Sequence, residues 1–252
     1  MPQIAPMSPN APEPARPENV AAPAVVASLT GTAQAIPGAG SPRALRVGDD
    51  VNQGETVATG AASSIVLRFE DEQVVALTSN SRLVVNTYVY DRQDASKSNI
   101  LVSLLDGGMR AITGLIGKQR PQQVGYRAGN ATIGIRGTDI TVGTIGGTLA
   151  ISVTEGGISF NFQGKTTTVN AGEGVDARTD GTVRKAALAE FLANLSPEMK
   201  AVFSESDRIV LDRLIRQAGQ QDLRDNPSSP LGTRSTTSSS NSTGGGGGAS
   251  TR

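Results

Sequence analysis

Ser81-Arg82-Leu83-Val84-Val85-Asn86-Thr87-Tyr88-Val89-Tyr90 is dense in β-branched and aromatic side chains. Its apolar positions partly alternate with polar ones, the period of a strand with one face on a core. Working outward, Ser64-Ile65-Val66-Leu67-Arg68-Phe69 reads the same way, as do Thr148-Leu149-Ala150-Ile151-Ser152-Val153 and Gly157-Ile158-Ser159-Phe160-Asn161-Phe162. Val25-Val26-Ala27-Ser28-Leu29-Thr30 makes a first strand. Turn signals separate these runs: Glu70-Asp71-Glu72, Asp106-Gly107-Gly108, Glu155-Gly156-Gly157 and Asp180-Gly181. No helical period interrupts residues 25–181, which excludes a parallel βαβ architecture and predicts an all-β body.

The body contains an echo of itself. Val51-Asn52-Gln53-Gly54-Glu55-Thr56-Val57 recurs as Val169-Asn170-Ala171-Gly172-Glu173-Gly174-Val175, and Leu105-Asp106-Gly107-Gly108-Met109 as Thr154-Glu155-Gly156-Gly157-Ile158. The repeat predicts two related layers of short strands, each entered through an x-Gly-Glu turn and folded over an acid-Gly-Gly corner. A narrow core of Val, Ile and Leu would lie between them. Chance likeness between two Gly-rich turns is the alternative.

Outside the body the composition changes. Seven of the 13 prolines fall between Pro2 and Pro23, so residues 1–24 are expected to be extended and disordered. Residues 226–252, Ser/Thr/Gly-rich and holding the run Gly244 to Gly248, are expected to be a flexible tail. Residues 182–225 read as two or three short amphipathic helices. Lys185 to Leu195 sets Ala187, Leu188, Phe191, Leu192 and Leu195 on one face. Ser196-Pro197-Glu198 supplies a cap, a first-turn proline and an acid, and a further helix is expected after Ser204, carrying Ile209, Val210, Leu214 and Ile215. These helices are expected to cap one end of the β body; binding a partner is the alternative.

Composition excludes several function classes. The 252 residues include no His, Cys or Trp, so Ser-His and Cys-His nucleophiles, histidine metal cages, disulfides and iron–sulfur clusters are out. Lys plus Arg and Asp plus Glu number 23 each, which removes the usual charge argument for nucleic acid or an anionic membrane. No run of apolar residues approaches a bilayer span. Ala33-Gln34-Ala35 has the form of a signal-peptide cleavage site, but Arg16 is the one positive charge before it and prolines crowd the start. An export signal is therefore expected upstream of Met1.

The most distinctive string is Ala131-Thr132-Ile133-Gly134-Ile135-Arg136-Gly137-Thr138-Asp139-Ile140-Thr141-Val142. Gly134 and Gly137 around Arg136 could cradle a phosphate, though no Lys-Ser or Lys-Thr follows and the context is strand–strand. The structural reading is a tight crossing where glycines let backbones approach. Gly134, Arg136, Gly137, Thr138 and Asp139 then form a structural motif, with Arg136 paired to an interior acid, Asp139 or Glu155. Truncating Arg136 would in that case cost about 3–5 kcal/mol.

Taken in order, these strings resemble the FecR-like domain, the periplasmic sensor module of ferric-citrate-type regulators. The likeness runs from Val47-Gly48-Asp49-Asp50-Val51 and Gly54-Glu55-Thr56-Val57-Ala58-Thr59-Gly60 through Ser63 to Phe69 and Asn80-Ser81-Arg82-Leu83. It continues with Leu104-Leu105-Asp106-Gly107-Gly108, Thr132 to Thr138, Thr154-Glu155-Gly156 and Ala171-Gly172-Glu173, while Tyr88-Val89-Tyr90 and Ala111 to Gly117 look like free-standing members. The resemblance implies a β-sandwich or two-stranded β-helix that is extracytoplasmic, non-enzymatic, without cofactor or metal, and works by binding or scaffolding another envelope protein. It also implies a link to iron-responsive signalling. Unlike the signalling members, the sequence shows no membrane helix and no N-terminal helical segment for a sigma factor, so the fold carries over and anti-sigma activity does not. Two alternatives use the acid clusters Asp49-Asp50 and Glu70-Asp71-Glu72: a carboxylate-dependent glycan hydrolase and a calcium-binding surface protein.

Overall fold

The structure is a computed structural model and describes residues 22–209. The chain divides into Met1–Val210 and Leu211–Arg252, and the described residues all belong to the first unit. Of the disorder expected for residues 1–24, residues 1–21 lie outside the described residues and Ala24 is instead buried at the start of the first strand; the tail 226–252 and the helical positions Val210, Leu214 and Ile215 also lie outside them.

In chain order the strands are β1 (Ala24–Thr30), β2 (Ala33–Ile36), β3 (Arg43–Ala44), β4 (Asp50–Val51), β5 (Thr56–Thr59), β6 (Ser64–Phe69), β7 (Val74–Leu77) and β8 (Arg82–Val89). Then come β9 (Asn99–Ile112), β10 (Val124–Ala128), β11 (Ala131–Ile145), β12 (Thr148–Phe162), β13 (Lys165–Asn170), β14 (Glu173–Arg178) and β15 (Val183–Ala187). Helix α1 is Leu115–Gln119, α2 is Leu188–Asn194, and α3 covers 197–209.

All fifteen strands belong to one mixed sheet that three long strands fold into two layers. The first half of β9 pairs with β8 and β10, its second half with β7 and β11. Strand β12 divides likewise, β14 joining its first half and β13 its second. One layer therefore runs β3-β2-β5-β8-β9-β10-β11-β12-β13, the other β4-β1-β6-β7-β9-β11-β12-β14-β15. The acid-Gly-Gly strings expected as turns are the corners of continuous strands. At Gly107 and Gly156 the backbone takes φ of 82° and 73°, where a side chain is strained. A Cβ on Gly156 would also collide with the Gly137 carbonyl of the neighbouring corner.

Inward positions of both layers make one apolar core, among them Leu67, Leu77, Leu83, Leu104, Ile133, Ile140, Ile151 and Phe160. The layers are also stitched by polar and aromatic contacts. Tyr126 Oη donates to Gln73 Oε1 at 2.8 Å, and the Phe69 and Tyr88 rings lie 5.5 Å apart. The x-Gly-Glu repeat is one turn built twice: Asn52 N donates to Glu55 Oε2 and Asn170 N to Glu173 Oε2, each at 2.8 Å. Gly54 and Gly172 adopt matching φ values of 84° and 81°. Each glutamate then meets a cation, Arg43 of β3 at 2.8 Å and Lys185 of the adjacent β15 at 3.1 Å.

Three local expectations need correction. Helix α1 interrupts the stretch read as strands alone; its five residues are too few to show a period. The sheet runs past residue 181, because 183–187 pairs with β14 and the first helix of that region begins at Leu188. Helix α3 continues unbroken through Ser204, so the cap is at Ser196, whose Oγ accepts from Met199 N at 3.2 Å. The helices also lie across the outer face of the β1-to-β15 layer rather than at an end. There Phe191 sits on Gly174, Met199 on Gly143 and Val202 on Gly108, each occupying the space a Cβ would need.

Candidate docking face

Strand β11 sends Ile133 and Ile135 into the core and leaves Gly134 on the outside, as its alternation requires. At Arg136 the register with β12 slips: Arg136 pairs with Gly157, but Asp139 pairs with Glu155. Gly137 takes φ of 56° in that bulge. The slip turns Thr138 inward, where Thr113 Oγ1 accepts from Thr138 N at 2.8 Å and donates to its carbonyl oxygen at 2.8 Å. Asp139 is gripped by Arg110, through Nε at 2.8 Å and Nη2 at 2.7 Å. Both side chains are nearly buried, 13% and 14% exposed, and Arg110 Nη1 adds a 2.7 Å bond to Asp207 of α3.

Arg136 is therefore not the interior partner expected of it. It is exposed and has no ion pair among the described residues, because the bulge puts it on the outer face while Asp139 turns toward β9. Arg110 was missed because nothing in Gly107-Gly108-Met109-Arg110 reveals that β9 and β11 run side by side. Their register puts Arg110 opposite Thr141, within reach of Asp139. Nor do the glycines form a phosphate cradle: Gly134 stands in the β-ladder between Gly125 and Ser159.

The acid clusters separate in space. Asp49 Oδ2 accepts from Arg46 N in a turn, and Glu70 meets Arg92 at 3.0 Å. Asp71 points inward and is fully buried. Its carboxylate accepts from Gln73 N, Tyr88 Oη and Ile116 N, and its carbonyl oxygen accepts from Leu115 N at 2.7 Å, which fastens α1 to the β6–β7 turn. Burial pushes the Asp71 carboxyl above its usual range, the hydrogen bonds only partly opposing it. Burial pushes the Tyr88 and Tyr126 hydroxyls upward too.

The two outer faces differ. One is covered by α2 and α3. On the other, a row of small residues runs across four strands in register, Gly125, Gly134, Ser159 and Thr168. Beside Pro121 and Gln122 this row opens into a groove of about 540 Å³ with Arg136 at its rim. Val84 and Leu101 are partly exposed on this face, and Leu105 is 49% exposed. Around this row its charged outward side chains are Arg127 and Arg136, both exposed and without an ion pair among the described residues, while at the corner of β9 Arg82 stands opposite the exposed Asp106. The uncovered face thus combines a floor of small residues with partly exposed apolar side chains and the two arginines Arg127 and Arg136.

The family model described as FecR protein matches residues 55–159, from the first x-Gly-Glu turn to the small-residue row on β12. No curated protein matches the chain. Similar solved structures include two described as "a putative anti-sigma factor" from Parabacteroides distasonis ATCC 8503. Each is 15% identical, with 52% of this chain and 59% of that one covered, at TM-scores of 0.42 and 0.43. Among the described residues, no helix is long and apolar enough to cross a membrane.

Proposed function

Residues 55–159 form a FecR-type domain, and from that premise we propose that the chain is a non-enzymatic regulatory module of the cell envelope that acts by holding another protein. The observation that carries this reading is the contrast between the two outer faces. One is closed by α2 and α3; the other, which includes Arg136 and the outward positions Thr132 and Gly134, is uncovered among the described residues and carries Arg127 and Arg136 beside its small-residue row. The FecR-type match supports the extracytoplasmic placement and the signalling role. The chemistry supports a binding role over a hydrolytic one, since Asp71 is committed to fastening α1 and Glu70 to Arg92. On this reading the β body, residues 25–187, is the binding unit and Gly134, Arg136, Gly137, Thr138 and Asp139 shape its corner.

Photo-cross-linking in the native host tests it, with the reactive residue placed in turn at Thr132, Asn161, Thr179 and Ser204. The expected result is a discrete adduct, recovered in the envelope fraction, from at least one position. No adduct from any position, or a protein confined to the cytoplasm, overturns it.

A further inference from the structure

The chain already shows how one of its layers receives a helix. On the covered face, the register sets Gly108, Gly143 and Ala150 side by side as a trough. Helix α3 lays Met199, Val202 and Phe203 into it. Two carboxylates fix its orientation: Asp207 meets Arg110 at 2.7 Å, and Glu205 accepts from Ser79 N and Oγ at 3.0 and 2.9 Å. The device has three parts: a floor without side chains, apolar side chains filling it, and an arginine beside it that selects acids.

Among the described residues, the open face has the floor and the arginines of this device but no helix on them. Gly125 and Gly134 make the floor, with Ser159 and Thr168 beyond. A Cβ on either glycine would have no neighbour closer than 3.6 Å, so the space above them is free. Arg127 stands two residues from Gly125 and Arg136 two from Gly134, on the same face as the floor. We infer that this trough docks an acidic amphipathic helix of a partner protein, with apolar side chains on the Gly125–Gly134–Ser159 row and carboxylates on Arg127 and Arg136. This rests on the protein-binding reading and names its surface and the chemistry of its partner. The two arginines beside the row, with no carboxylate in register with it among the described residues, favour an acidic segment over a basic one.

The test uses the full chain and a labelled helical peptide of about 16 residues, with Met, Val and Leu along one face flanked by glutamates. A second peptide has lysines for the glutamates, and a single-stranded DNA of similar length serves as a plain polyanion. Fluorescence anisotropy should show binding of the glutamate peptide alone, weakening as salt rises from about 0.05 to about 0.5 M. Arg127→Glu with Arg136→Glu should weaken it about tenfold or more, and Ser159→Trp, which fills the floor without changing charge, should weaken it too. Arg178→Glu with Arg208→Glu makes the same charge change elsewhere and should leave binding intact. No binding of the glutamate peptide, equal binding by the Arg127/Arg136 variant, or equally tight binding of DNA overturns the inference. Cross-links formed only from Ser204 or Thr179 overturn it as well, while leaving the protein-binding reading in place.

Discussion

Arg110 and Arg136 differ in consequence because of a single bulge. Both flank the same corner, and only Arg136 is near Asp139 in sequence. The backbone slip at Gly137 delivers Asp139 to Arg110 in a two-pronged bond and leaves Arg136 in solvent. Removing Arg110 strands a nearly buried carboxylate and frees Asp207 of α3, so Arg110→Ala is expected to cost about 3 kcal/mol in urea unfolding. Arg136→Ala is expected to change stability by less than about 0.5 kcal/mol. Equal costs for the two would mean that the bulge does not sort them. The glycine and the acid of this corner were legible in the string 134–139; the guanidinium that holds the acid was not, since it lies on a strand remote in sequence.

Helix α3 owes its position to what β9 and β11 lack. Its buried residues Met199, Val202, Phe203, Ser206 and Ile209 keep a helical period, readable from sequence, yet period alone does not say which surface they meet. The glycines at 108 and 143 decide it, because only there can Val202 and Met199 approach the sheet backbone. Gly108→Ala is expected to overpack this contact and cost about 1–3 kcal/mol. The Val202 Cγ1 that it strikes belongs to a short branched side chain with little room to yield. In a Val202→Ala background the same change should cost measurably less, a coupling that a double-mutant cycle in thermal or urea unfolding reads directly. Additive costs would show that the helix does not sit on this glycine. The continuity of α3 through Ser204 belongs here too: Ser204 has the composition of a cap, but the buried register on either side keeps one face down and the helix intact.

The folded unit joins its two layers and α1 through Asp71, and this gives the molecule an unusual response to pH. Most paired carboxylates lower their pKa on folding and lose stability in acid. Burial raises that of Asp71, so the native state binds its proton more tightly than the unfolded chain does. Its contribution is therefore fullest below the unfolded value, about 3.9, and is lost as pH rises through the higher folded value. The unfolding free energy of the native protein minus that of Asp71→Asn is expected to fall over that window and level off above it. A difference that is flat with pH, or that rises, would contradict the placement of this carboxyl.

The β-branched runs, the acid-Gly-Gly strings and the repeated x-Gly-Glu turn by themselves determined a two-layer β body with short apolar-faced helices after it. They did so because strand period, positive-φ glycine and a turn held by its own glutamate are local, settled by residues a few positions apart. Which strands become neighbours, which arginine reaches Asp139, that Asp71 is buried, and which face α2 and α3 cover were decided only by the tertiary structure. These depend on register between segments tens of residues apart, and no local signal encodes where a chain meets itself.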